Sequence, residues 1–112
     1  MENLFSYGTL QLANVQQELF GRLVHTVPDA LGGYKKAKIK IRVEYVSGFR
    51  EEEHVIISYS GNELDIVDGI VLSITEKELK EADEYETDDY KRIEVTLRSG
   101  KSAWVYVKND KK

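Results

Sequence analysis

The 112-residue sequence contains no cysteine, and only one proline, one tryptophan and one methionine. Without cysteine, disulfides, thiolate metal sites and thiol catalysis are excluded outright. No uninterrupted apolar run approaches the roughly 18 residues that a membrane-crossing helix requires. The opening MENLFSYG lacks the basic segment and long apolar stretch of a secretory signal. Basic excess is missing too, since 16 Lys and Arg against 20 Asp and Glu leave a net charge of −4 and a pI near 5.2. That balance argues against nucleic-acid and anionic-membrane partners, which call for a basic patch. The expectation is a soluble, cytoplasmic, single-domain protein, monomer or homodimer, acting on a small molecule or a protein partner.

What is present has clear periodicity. NLFSY (residues 3–7) reads as a short strand that breaks at Gly8, and LQLANVQQELFG reads as a helix with Leu12, Val15 and Leu19 inward and Gly21 as its stop. RLVHTV before Pro28 reads as a strand, and Gly32-Gly33 as a turn. Ala37, Ile39, Ile41, Val43 and Tyr45 alternate with Lys38, Lys40, Arg42 and Glu44 at period two, the mark of a half-buried strand. The charged, glycine-containing Ser47 to His54 reads as a loop. Residues 54–57 and 66–74 supply two more strands around a turn at Gly61-Asn62. Arg92 to Leu97 and Ala103 to Val107 form a hairpin through Ser99-Gly100. The spacing predicts a small α+β domain over residues 1–108, with a mixed, curled, barrel-like sheet and two main helices, followed by a frayed tail at 109–112.

The acidic window ADEYETDDYKR (82–92) is not uniform. Thr75 and Glu78 stand at the N-cap and N3 positions of a capping box, flanked by Ile74 and Leu79 as a hydrophobic staple. This fixes the helical phase. At about 100° per residue, Glu86 lies only about 20° around the axis from Leu79, on the inward stripe, whereas Lys80, Glu81 and Glu84 point outward. A partly buried carboxylate without a cation has its pKa raised, which poises it for proton transfer near neutrality. The alternative is that the helix ends at Tyr85 and Glu86 merely caps or solvates it. Asp83 lies near the same stripe one turn earlier, and Asp88 and Asp89 read as solvated turn residues.

Two separated motifs carry a resemblance. FSYGTL, between a strand and a helix, is similar to the Tyr-Gly-Ser/Thr-Leu signature of the γ-glutamylcyclotransferase superfamily, including its avirulence-induced-gene-like proteins. DGIVLSITEKELKEADEYETDDYKRIEV followed by AWVYV resembles that family's second region, in the same order and across nearly the whole chain. The resemblance implies a small barrel-like α+β fold with one pocket, no cofactor and no metal. It implies Glu86 as the proton-transfer residue. Tyr7, Gly8, Thr9 and Leu10 would hold the glutamyl moiety, with Tyr90 as a further pocket residue. The family usually has Gly after the glutamate, where Thr87 stands here, and Leu where Ala82 stands.

The implied reaction converts a γ-glutamyl amine or peptide into 5-oxoproline and a free amine. The substrate's own α-amino group is the nucleophile, so one carboxylate serving as base and then acid is enough. The amine side of the substrate is expected against Gly48 to Glu53 and Gly61 to Asp65. A second reading stays open, in which the same fold is a non-catalytic metabolite-binding or interaction module. Gly8-Thr9 also reads as a plain strand-to-helix turn with Thr9 as N-cap. Neither His25 nor His54 has a partner at ligand spacing, so neither is expected to bind metal or take part in catalysis. Trp104 reads as core or pocket wall.

Overall fold

Alternating side chains on the central strands put apolar groups on both faces, and the computed structural model, which describes residues 1–110, covers each face differently. Five strands form a mixed sheet in the order β2 (His25–Gly32), β5 (Ile66–Ile74), β1 (Glu2–Ser6), β7 (Ser102–Lys108), β6 (Tyr90–Thr96). Only β1 and β7 run parallel; the other neighbours are antiparallel. β3 (Tyr34–Tyr45) and β4 (Gly48–Tyr59) form a separate two-stranded ribbon. One face of the sheet packs Phe5, Val71, Val105 and Val107 against Ile57 of the ribbon. The other packs Leu4, Leu72, Ile74 and Tyr106 against Leu79 and Ala82 of the second helix, α2 (Glu76–Tyr85), with Val15 and Leu19 of α1 (Ala13–Phe20) at its margin. The α+β architecture expected from the sequence is the one observed.

Several local expectations need correction. Pro28 lies inside β2, where a missing N–H is tolerated because β2 is an edge strand. The segment read as a loop, Ser47 to His54, is mostly strand. From Tyr45↔Gly48 to Tyr34↔Tyr59, β3 and β4 pair along their whole length. Its charges suit a strand because the ribbon is wet toward its tip and cross-strand partners neutralise them, as Lys38 does Glu53 at 3.3 Å. Leu12 precedes α1 and is half exposed rather than in the core. Gly21 does stop α1, in the left-handed conformation at φ 72.

Asn109 follows β7 and donates its N–H to the Asp89 carbonyl at 2.8 Å. Lys111 and Lys112, part of the expected frayed tail, lie outside the described residues. Gly69 lets β1 and β5 close up. A Cβ there would strike the Ser6 carbonyl and the Phe5 ring, so the strand leading into the Tyr7–Leu10 loop depends on its absence.

Candidate active site

The capping box forms as the sequence requires. Thr75 Oγ1 accepts from Glu78 N at 3.1 Å, and Glu78 Oε1 accepts from Thr75 N at 2.9 Å. Glu78 also receives a bidentate pair from Arg22, at 2.7 and 2.9 Å, which pins the start of α2 to the segment after α1. The helix ends at Tyr85, yet Glu86 still donates its N–H to Ala82 O at 3.1 Å before its backbone turns extended. The inward phase therefore carries through the cap residue. Both readings of the boundary meet here, because Glu86 is the C-cap and also points inward.

Glu86 is half-buried, and its carboxylate makes no hydrogen bond or ion pair with any described residue. Burial alone raises its pKa from 4.5 to about 7. No buried side-chain oxygen or nitrogen among the described residues lacks a partner, so the unpaired Glu86 oxygens are open to the adjoining space. Asp83, by contrast, is bound by Arg92 through Nε at 2.7 Å and Nη2 at 3.1 Å, and accepts from the Tyr106 hydroxyl at 2.8 Å.

The adjoining space is a cavity of about 700 Å³ between β1, the loop after it, the end of α2 and the ribbon. Tyr7, Gly8, Thr9, Leu10, Glu86 and Tyr90 all line it. Gly8 has φ −127, so no left-handed conformation demands glycine, and an added Cβ would meet nothing within 4 Å. Its missing side chain leaves open space rather than relieving a clash. Thr9 caps no helix; its hydroxyl pairs with the Tyr85 hydroxyl at 2.9 Å, tying the loop to the last turn of α2. The loop closes through one 3-10 turn, Thr9–Gln11, before α1 begins.

The tyrosines present rings rather than free hydroxyls. Tyr7 OH donates to Tyr106 O at 2.5 Å, and Tyr90 OH donates to Val55 O at 2.9 Å, the latter fastening the ribbon to β6. Burial, then the nearby acidic groups, pushes Tyr7 well above the usual phenol range and Tyr90 up to about 12, so both stay protonated donors at neutral pH. A second, more open cavity of about 420 Å³ lies beyond Glu86, lined among others by Asp83, Arg92 and Trp104. Glu86, Thr87, Tyr90 and Tyr106 border both spaces.

Residues 4–112 match the family model described as "Gamma-glutamyl cyclotransferase, AIG2-like". The chain belongs to this family. No curated protein matches it. Among solved structures, the cyclotransferase-like fold recurs in two Arabidopsis thaliana proteins known from solution structures. At5g39720.1 is 24% identical with a TM-score of 0.75, over 99% of this chain and 70% of that one. At3g28950.1 is 28% identical with a TM-score of 0.66, over 96% of this chain and 61% of that one. A structure named as a γ-glutamyl cyclotransferase shares the fold at 20% identity and a TM-score of 0.74, over 96% of this chain and 66% of the other. The chain thus spans about two thirds of the length of these proteins.

In this cavity Thr87 stands without backbone strain where the family usually has glycine, since among the described residues only glycines take a positive φ. Its hydroxyl donates to Asp89 Oδ2 at 3.0 Å, forming the turn that sends the chain into β6. Of the two segments expected to meet the amine side, Glu52 and Glu53 line the cavity, whereas Gly61 to Asp65 do not. Sequence reasoning missed three supports. Gln16 is buried and bridges the loop to the segment leading into β2, donating to Leu10 O at 2.9 Å and accepting from Val24 N at 3.3 Å. A glutamine beside Val15 and Leu19 on an inward helix face was its only signal. Tyr85 had none beyond residue type, and Tyr106 stood only within the AWVYV motif, with no role assigned to it.

Proposed function

We propose that the protein catalyses γ-glutamyl cyclotransfer, converting a γ-glutamyl amine or peptide to 5-oxoproline and the free amine. The supporting observation is an unpaired carboxylate, raised to about 7, in the same cavity as the Tyr7–Leu10 loop. A pKa near the working pH keeps both forms of Glu86 populated, as a residue serving first as base and then as acid requires. An interaction module would gain nothing from an open cavity beside a carboxylate whose ionisation burial opposes.

In this reading the loop of Tyr7, Gly8, Thr9 and Leu10 holds the glutamyl moiety folded, with Tyr90 closing the wall. Glu86 takes a proton from the α-ammonium. The freed amine attacks the γ-carbonyl carbon, and the carbonyl electron pair moves onto oxygen. Collapse of that adduct breaks the bond to the leaving nitrogen, which receives the proton from Glu86, and the second proton still on the ring nitrogen passes through Glu86 to the freed amine, leaving the lactam N–H and the Glu86 carboxylate. Every atom of substrate appears in the two products, so neither water nor a protein nucleophile enters. Holding the chain folded supplies much of the rate, because five-membered ring closure has a high effective molarity.

Release of 5-oxoproline from a panel of γ-glutamyl amines and γ-glutamyl amino acids tests the reaction. Glu86→Gln is expected to reduce kcat by about 10²- to 10⁴-fold while leaving the fold intact. Turnover unchanged in that variant would remove Glu86 from the mechanism.

A further inference from the structure

We propose that Glu52 and His54, on the ribbon face that lines the cavity, form the subsite for the amine portion of the substrate. They favour amine portions that carry a second ammonium group over those that carry a carboxylate. This rests on the cyclotransferase reading of the same cavity.

The register places the two side chains. Glu52 is paired with Ile41 and His54 with Ile39, so all four share one face of the ribbon. That face is the covered one, since Ile41 is buried and Ile41 and Val43 line the cavity with Glu52 and His54. Glu53 belongs to the other face, where it meets Lys38 at 3.3 Å. His54 Nε2 lies 3.2 Å from Glu52 Oε2, while Arg50 donates to Glu52 Oε1 through Nε at 3.2 Å and Nη2 at 2.8 Å. A carboxylate only accepts, so the Nε2 of His54 carries the hydrogen, and in the neutral ring Nδ1 is left as an acceptor.

That acceptor suits an ammonium and repels a carboxylate. The charge around it has the same bias. Glu52 and Glu86 are among the described residues lining the cavity, and no lysine or arginine is. Arg50 is largely exposed, is not among the residues lining the cavity, and directs its Nε and Nη2 to Glu52. A carboxylate on the amine portion would lose water without gaining a cation, which is the costly case for a buried charge. Ile41 and Val43 give this wall an apolar surface for an alkyl spacer between the γ-amide and the terminal ammonium.

The test compares γ-glutamyl-1,5-diaminopentane with γ-glutamyl-5-aminopentanoate, which are alike in length and opposite in terminal charge. The diamine compound is expected to have the higher kcat/KM by about tenfold or more, and Glu52→Gln and His54→Leu to bring the ratio within about threefold. A ratio of one or less in the unaltered protein, or one unmoved in both variants, overturns the subsite. If neither compound nor any other γ-glutamyl compound turns over, the cyclotransferase reading fails and binding decides the subsite by itself. Free 1,5-diaminopentane and glutarate are then titrated while the His54 imidazole is followed by NMR. A shift with the diamine alone supports the subsite; a shift with glutarate, or with neither, overturns it.

Discussion

Asp83 and Glu86 stand three residues apart at the end of one helix, and their environments are opposite. Asp83 sits in the last turn of α2 and is held on two sides, by the Arg92 guanidinium and by the Tyr106 hydroxyl, with Arg92 itself stacked 4.4 Å over the Trp104 ring. Glu86, one residue past the helix, borders the same open cleft as Asp83 and Arg92, yet accepts no hydrogen bond from the Arg92 guanidinium. The difference teaches that an acidic run is sorted by partners rather than by its charge. A carboxylate with a cation is structural, while one that is desolvated without a cation is poised for protons.

The largest effect that probes this contrast is the dependence of stability on pH. Glu86 has a folded pKa of about 7 against 4.5 unfolded, so between those values the native state holds the extra proton. Its contribution to stability is therefore present below 4.5, falls as pH rises to 7, and is gone above that, a loss of about 3 kcal/mol. Urea denaturation of Glu86→Gln is expected to show the variant gaining on the parent as pH rises from 4 to 8. Equal pH slopes in the two proteins would mean that Glu86 ionises as an ordinary surface acid.

Giving Glu86 the kind of partner that Asp83 has should erase the contrast. Thr87→Lys, at an exposed position bordering both cavities, is expected to lower the Glu86 midpoint by about one pH unit. A carboxyl NMR titration reads this directly, and an unmoved midpoint rejects the account. The converse change, Arg92→Leu, strips Asp83 of its cation and Trp104 of its stacked guanidinium. Because the pair is partly exposed, the expected cost is about 1 kcal/mol, seen as a lower urea midpoint with an unchanged m-value.

The smallest expected effect is at Tyr85→Phe. It deletes one exposed hydrogen bond to Thr9, at a cost of about 0.5 kcal/mol. In the proposed mechanism the looser loop raises KM more than it lowers kcat. The reverse split would show that the Tyr85 hydroxyl meets the reacting atoms.

Much of this was legible in the residues, and the exceptions share a cause. The phase of α2 could be read because its signals are local: a capping box, a staple, and a count of residues to Glu86. The ribbon could not, because residues 48–53 show charge on both faces and become strand only through partners as distant as Lys40 and Arg42. The Asp83–Arg92 pair crosses from helix to strand, and Gln16 reaches two separate connecting segments at once, at Leu10 and Val24. No periodicity reports such contacts.

The sequence by itself determined the chemistry available, with no thiol and one acid set on an inward stripe, because capping and helical period act over a few residues. It also set the family, through the loop at Tyr7–Leu10 and the region around Glu86. Only the tertiary structure decided that Glu86 goes unpaired while Asp83 does not, and that Glu52 and His54 turn their face to the same cavity. Those outcomes depend on which distant side chains arrive within hydrogen-bond reach and which surfaces lose water, and both are properties of packing rather than of chain order.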